Sequence, residues 1–376
     1  MSSAALPIEA WVVALSALPG VGPSRLRWLL SQGEPEAVWR RVKSGSIKKL
    51  VSGESLRIPV AFFDQWSVGA KSLDVAAYWN AHVEAGVGVM TRWSASFPDV
   101  FADDDDAPVV LFWLGEIDRL AGTRVAIVGT RKATRYGIDV ANEIARELSE
   151  AGVSVVSGLA LGIDGAAHSG SLSVDGAPPL AVVGSGLDCV YPRAHRSLWR
   201  AVAERGVVLS EYPLGTKAVA WQFPARNRII AALSDVVVVV ESQSTGGALG
   251  TAIEAARRGR TVLAVPGPVT APSSAGTNQL LFDGCGPARD VADVLLALGR
   301  EPERRRVAAE TRATPRGDAK RILESLPWQS VPVQHVVLET GLRLGEVMLE
   351  LEQLEADGWI TQRAGWIERI GRGGAR

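Results

Sequence analysis

Six short runs of branched apolar residues dominate the middle of this chain: VAIVG from Val125, VSVVSG from Val153, LAVVGSG from Leu180, GVVLSE from Gly206, DVVVVVES from Asp235 and TVLAVPG from Thr261. None alternates polar with apolar residues, so each suits a strand buried on both faces, as in parallel sheets. Amphipathic segments separate the runs. That alternation predicts an α/β fold with a Rossmann-like doubly wound sheet. Such sheets bind ligands beyond the carboxyl ends of their strands. The residues that follow each run are therefore where function is to be read.

After the first run come Gly129, Thr130 and Arg131, and after Tyr136-Gly137 the helical pattern IDVANEIARELSEAG. Strand, glycine turn and helix bring backbone N–H groups and a helix N-terminus to one point, which favours an anion such as phosphate. The fingerprint G-x-G-x-x-G is absent and an arginine stands where close backbone approach is needed, which argues against a dinucleotide cofactor. Taken alone, the stretch reads equally as a plain strand–turn–helix unit with a solvated Arg131. The rest of the rim is Ser157-Gly158-Leu159-Ala160-Leu161-Gly162-Ile163-Asp164, Gly184-Ser185-Gly186, Glu211-Tyr212-Pro213 and Ser244-Thr245-Gly246-Gly247. These supply many N–H and O–H donors, a surface that holds phosphates. Asp164 and His168 have helical spacing; they read as a dyad or, more simply, as a capping aspartate beside a packed histidine. No Ser-His-Asp order, HExxH or nucleophile elbow emerges, so no catalytic residue and no metal ligand is assigned.

The segment WQFPARNRIIAALSD is the most unusual, with Phe223-Pro224 before Arg226, Asn227 and Arg228. An exposed ring stacks a nucleic-acid base for about 1–3 kcal/mol, and guanidiniums pair with phosphates. Two cations at a helix start oppose the helix dipole, which points to an anionic partner; solvated arginines are the simpler alternative.

With 376 residues, 47% of them hydrophobic and 22% charged, the chain is globular and long enough for two or three domains. Its net charge of −1 gives no global positive field, so any nucleic-acid contact must come from a local groove. Cys189 and Cys285 are too few for a disulfide framework and lack metal-ligand spacing, which suits a reducing cytoplasm. The start MSSAALPIEAWVV has no basic region and no apolar run reaches membrane-spanning length, so a cytoplasmic protein without a membrane partner is expected.

Four regions are expected. Residues 1–84 read as a helical domain whose Pro19-Gly20-Val21-Gly22-Pro23 resembles a helix–hairpin–helix turn. Such glycines let N–H groups approach a phosphate, although tight glycine turns also simply join packed helices. Trp11, Trp28, Trp39 and Trp66 are expected in its core. Residues 85–299 form the α/β domain, entered through an acidic run, Asp103 to Asp106, that reads as a solvated loop. Residues 300–316 read as a linker. Residues 317–376 read as a winged helix ending in GWITQRAGWIERI, with two strands joined at Arg363-Ala364-Gly365. Its presumed recognition helix, LGEVMLELEQLEADG, has five acidic residues and no basic one, which argues against major-groove readout.

Taken together, VAIVGTR, SGLALGIDGAAH, GSGLDCVYPRAH, LSEYPLG, FPARNRIIAALSD, VVVVES with TGGALGTA, and GRTVLAVPG resemble the DNA-processing protein A (DprA/Smf) family. The resemblance implies a non-enzymatic protein that protects incoming single-stranded DNA in natural transformation and loads the RecA recombinase. It also implies a homodimer through the α/β domain, a sterile-alpha-motif-like N-terminal domain and no cofactor. The family's Gly-Ser-Arg loop falls on Gly129-Thr130-Arg131, where Thr130 keeps the hydroxyl. Rim and resemblance together place nucleic-acid binding at Gly129, Thr130, Arg131, Ser157, Gly158, Gly162, Lys217, Phe223, Arg226, Asn227, Arg228, Thr245, Gly246 and Gly247. One alternative is an enzyme. Gly246 to Glu254 is similar to the G-G-x-x-G-T-x-x-E signature of nucleoside monophosphate phosphoribohydrolases, whose glutamate is catalytic. Those enzymes lack the Phe-Pro-x-Arg-Asn-Arg segment.

Overall fold

All six apolar runs are strands of one sheet. The computed structural model describes residues 5–50, 58–301, 313–327, 330–363 and 365–370. In chain order the sheet comprises β1 (Gly88–Thr91), β2 (Val110–Gly115), β3 (Arg124–Val128), β4 (Ser154–Ser157), β5 (Leu180–Val183), β6 (Val207–Ser210), β7 (Val236–Val239), β8 (Thr261–Ala264) and β9 (Gly286–Pro287). The spatial order is β1-β2-β6-β5-β4-β3-β7-β8-β9. Strands β3 to β9 pair in parallel, for example Val125 with Val236 and Ala126 with Val156, while β1 and β2 add an antiparallel edge. The chain leaves β3 in one direction through β4, β5 and β6 and in the other through β7, β8 and β9. At that reversal the carboxyl ends of β3 and β7 open a crevice.

Helices cover both faces, which is why the strands carry no polar alternation. Val125 and Ile127 face the side of α6 (Arg135–Glu150), α7 (Ile163–Leu172) and α12 (Val291–Ala297). Ala126 and Val128 face α9 (Gln222–Leu233) and α10 (Gly247–Arg257). The remaining helices of the sheet region are α8 (Arg196–Arg205) and α11 (Ala275–Phe282).

Ahead of the sheet stand α1 (Ile8–Ser16), α2 (Pro23–Leu30), α3 (Pro35–Ser44), α4 (Val60–Ser72) and α5 (Val75–Glu84). Proline opens α2 and α3, where its missing N–H costs nothing, and Asp74 caps α5 by accepting from the Ala77 N–H at 3.1 Å. Trp39 and Trp66 are buried and Trp11 and Trp28 pack against them. That core runs on without a break into Phe112, Ala181, Val183 and Val208 of the sheet. Polar ties reinforce the joint. The Tyr78 hydroxyl donates to the Leu214 carbonyl at 2.8 Å, and the Leu214 N–H donates to His82 Nε2 at 3.2 Å. Burial lowers the His82 pKa, holding the neutral ring that this acceptor role needs.

The acidic run is not simply solvated. Asp104 accepts from Arg258 at 2.9 Å with both side chains 13% exposed, and Asp106 accepts from Arg27 at 3.3 Å. Arg258 ends α10 among carboxylates, and the run supplies one of them. No helix of the described residues is long and apolar enough to cross a membrane.

Residues 1–301 form one compact unit and residues 302–376 another. The expected linker falls mostly on 302–312, outside the described residues. The second unit holds α13 (Gly317–Ser325), β10 (Val331–Pro332), α14 (Val333–Thr340), α15 (Leu344–Ala356), β11 (Ile360–Arg363) and β12 (Trp366–Arg369), with Ala364 outside the described residues. Its strands form a separate sheet in the order β10-β12-β11. Its core, built on Ile322, Val336, Leu351 and Ile367, shares no residue with the cores of the first unit.

Separate cores predict separate folding. A protein ending at Glu301 is expected to keep the thermal midpoint of the first unit within about 2 °C, since one lost kilocalorie shifts a unit of this size by about 2–4 °C. Calorimetry of the two proteins checks this; a larger drop would show that the second unit supports the sheet.

Candidate nucleic-acid interface

Phe223 sits in the first turn of α9 and Arg131 in the turn after β3, two elements remote in the chain. The structure brings them together. The Arg131 guanidinium lies over the Phe223 ring at 4.5 Å from its centroid, and the Tyr191 ring stands 5.4 Å from Phe223 at 36°. Arg131, Gly158, Ala160, Leu161, Tyr191, Pro192 and Phe223 line a cavity of about 50 Å³. Arg131, Leu161 and Tyr191 are exposed there. A cation held on an aromatic face beside a second ring can neutralise a phosphate and stack a base at one place.

Tyr191 was not among the residues expected from the sequence. Its signal was the Tyr-Pro pair that follows the rim of β5, which reads as loop chemistry until the ring is placed beside Phe223.

The anion seat at the start of α6 exists, but the protein fills it itself. Thr134 caps the helix, accepting from the Gly137 N–H at 3.2 Å. Its own N–H and hydroxyl donate to the Glu241 carboxylate at 2.9 and 2.5 Å. Two turn amides are also engaged: the Thr130 N–H by the Glu241 carbonyl at 2.8 Å, and the Lys132 N–H by Thr130 Oγ1 at 3.2 Å. The expected phosphate cradle of backbone donors is thus largely occupied by Glu241. What the turn of Gly129 and Thr130 offers outward is the Arg131 side chain.

Arg226 and Arg228 do not reach solvent as expected, because each has an internal anion. Arg226 is 4% exposed, donates from Nη1 to the Val182 carbonyl at 2.8 Å and faces the buried Asp164. Asp164 accepts the Gly158 N–H at 3.1 Å; burial raises its pKa against the pull of Arg226. Arg228 donates to both Glu211 oxygens at 2.7 and 2.6 Å, with side chains 11% and 3% exposed. The dipole argument points to an anionic partner for these cations; the carboxyl groups that face them belong to the protein instead.

Other expected residues hold the rim rather than meet a ligand. The Ser157 hydroxyl is buried and donates to the Ile127 carbonyl at 2.6 Å, tying β4 to β3. Asn227 Nδ2 donates to the Gly247 carbonyl at 3.2 Å, tying α9 to the start of α10. Gly162 has φ +76°, and a Cβ there would lie 2.3 Å from the Thr130 carbonyl oxygen. At Gly158 a Cβ would lie 1.5 Å from Arg226 Nη1. Lys217, Thr245 and Gly247 are exposed and Gly246 partly so, on the loops after β6 and β7 and outside the Arg131 cavity.

Asp164 and His168 form no dyad: Asp164 is turned to Gly158 and Arg226. His168 is fully buried, and neither ring nitrogen has a well-formed hydrogen bond. Burial pushes its pKa down to about 3; Arg226 and His195 add to this, and a loose contact with the Ser157 backbone opposes it. Glu254 is also committed, with Oε1 held by Arg257 at 2.9 Å and Oε2 by Arg258 at 2.6 Å. Among the described residues no group of three or more His, Cys, Asp or Glu is arranged to hold a metal.

Fold and site define a mixed α/β protein with a large central sheet and a cationic, aromatic site at its carboxyl edge. The chain belongs to the DNA recombination-mediator protein A family, whose model matches residues 88–299. It is 37% identical over 225 residues to DNA processing protein DprA of Bacillus subtilis, covering 60% of this chain and 74% of that one. The solved structure of DNA processing protein A from Streptococcus pneumoniae superposes with a TM-score of 0.63 at 30% identity, covering 77% of this chain and 96% of that one. DNA processing protein A from Helicobacter pylori, a protein with a unique single-stranded DNA binding mode, superposes at 0.51 with 29% identity, covering 56% and 95%.

Two outcomes follow. Gly158→Ala is expected to destabilise the protein by about 3 kcal/mol in urea unfolding, because Arg226 cannot clear the new methyl without leaving Val182 and Asp164. A midpoint like that of the parent would show that the guanidinium has room to move. His168 is neutral when folded but protonates below about pH 6.5 when unfolded. Stability is therefore present above that pH and falls as pH drops toward 3, by about 1.4 kcal/mol per unit for this group. His168→Leu is expected to flatten the loss between pH 6.5 and 4 in the same assay; an unchanged slope would mean that the ring is solvated in the native state.

Proposed function

We propose that this protein binds single-stranded DNA at the carboxyl edge of its sheet, without catalysis, and hands it on for recombination. The observation that carries this is the Arg131 guanidinium stacked on Phe223 in a cavity walled by Gly158 and Tyr191. Phosphate neutralisation and base stacking are both sequence-tolerant, as protection of incoming DNA in transformation requires. The Bacillus and Helicobacter relatives, named for DNA processing and for single-strand binding, support the same reading. Loading of RecA and a homodimer through the α/β unit rest on family membership. So do a sterile-alpha-motif-like character for residues 1–84 and a winged helix at 317–376, the latter consistent with helices followed by the β11–β12 pair. Against the enzyme alternative stands the engagement of both Glu254 oxygens by Arg257 and Arg258.

Salt separates the two contributions. Arg131→Ala is expected to reduce the steepness of log affinity against log salt on oligothymidine by about 0.7, one phosphate contact on a single strand. Phe223→Ala is expected to weaken binding by about 1–3 kcal/mol with the slope nearly unchanged. Since ring and guanidinium touch, the double variant should lose less than the sum. Should Phe223→Ala match the parent at every salt concentration, the ring is packing and the strand runs elsewhere.

A further inference from the structure

The Pro19 to Pro23 turn has no part in the site described so far, yet it forms one wall of a far larger space. A cleft of about 750 Å³ separates this turn from the loop after β6, with Gly20, Gly22, Arg25, Tyr212, Thr216 and Trp221 on its walls. That volume is in the range of small-ligand sites.

The cleft's chemistry favours an anion with an aromatic part. Carbonyl oxygens along the turn are turned inward and engaged: Leu18 by the Val21 N–H at 3.0 Å, Pro19 by Trp66 Nε1 at 2.9 Å, Gly20 by Arg25 Nη1 at 2.5 Å and Gly22 by the Leu26 N–H at 2.9 Å. Their negative ends are thereby taken up within the protein. Helix α2 starts at the cleft with no side-chain cap, and the half-buried Arg25 lines it, its guanidinium 3.9 Å from the Phe62 ring centroid. Trp221 is 55% exposed and meets Tyr212 edge-on at 6.1 Å, leaving ring surface to stack on. The independent sign of a ligand is Tyr212 itself. It is 6% exposed, lines the cleft, and its hydroxyl has no hydrogen-bond partner. Such a group waits for an acceptor.

Position says which ligand. Trp221 and Gln222 line the cleft, and the next residue, Phe223, lines the Arg131 cavity, so the two sites adjoin across one turn of α9. We propose that a second nucleotide of the bound strand seats in this cleft, its base on Trp221, its phosphate toward the Gly20–Gly22 turn and Arg25, with the Tyr212 hydroxyl donating to it. This rests on the single-strand reading above and extends the strand path onto the helical segment.

The test uses the full chain and fluorescence anisotropy with oligothymidines of about 4 and about 20 nucleotides, a range that spans the length per binding module. Trp221→Ala is expected to weaken both oligomers about 5- to 100-fold, since four nucleotides already reach both sites. Tyr212→Phe is expected to weaken the long oligomer about 2- to 10-fold without lowering the thermal midpoint, because the unbound hydroxyl has no bond to lose. Both variants binding the long oligomer like the parent would overturn the proposal. In a second arm, thymidine monophosphate is titrated into protein saturated with the long oligomer. No further binding is expected; heat that vanishes in Trp221→Ala would mark a free-nucleotide site and overturn the strand path. Phe223→Ala keeps the two readings apart. If the short oligomer ignores Phe223 while the long one responds to Trp221, the Arg131 cavity falls and the cleft stands.

Discussion

The guanidinium of Arg226, filling the space beside Gly158 and facing the Val182 carbonyl and Asp164, holds the rim of this protein in register. A buried charge is costly unless polar groups replace its water; here β5 supplies a hydrogen bond and Asp164, at the start of α7, an electrostatic counterpart, while Nε has no partner. The consequences spread from that point. Residue 158 has to lack a side chain, Asp164 has to stay close by, and α9 cannot rotate or slide. Phe223 lies three residues before Arg226, one turn nearer the rim on the same side of the helix. The buried arginine thus sets the azimuth of the half-buried Phe223 ring, and Trp221 follows from the same anchor.

Neutralisation inside the protein recurs around the crevice. Glu241, from the end of β7, fills the N-terminus of α6; Glu211, from the end of β6, holds Arg228. Each removes a site that a phosphate would otherwise contest. Arg131 is left on the surface with an aromatic face as its support, a contact worth about 0.5–1 kcal/mol at an exposed site. That is enough to bias its position and too little to keep it from a stronger anion. An exposed cation steadied by a ring, above turns already bonded among themselves, binds with little rearrangement of the backbone.

The helical segment belongs to the same mechanical unit. Its core continues into β5 and β6, and Tyr78 and His82 bond the backbone of Leu214 in the loop that forms the far wall of the cleft. Both walls are therefore fixed before any ligand arrives. The second unit has its own core, and its α15 carries carboxylates rather than cations.

The βαβ architecture was legible because it depends on local composition: runs such as VVVVV have no polar face to show water and can only be interior strands. The turn at Arg131 and the ring at Phe223 were legible for a related reason, since glycine turns and Phe-Pro pairs declare themselves within a few residues. Burial of charge was not legible. Arg226 and Arg228 look like Arg131 in a sequence, and the difference is Asp164 and Glu211, which reach them only when separate strands align. Tyr191 was passed over because its partner lies 32 positions further along the chain. By itself, then, the sequence determined which segments are strands and that they feed one doubly wound sheet. Only the tertiary structure decided which cations face water, because a charge is spent or available according to neighbours that are remote in the chain and adjacent in space.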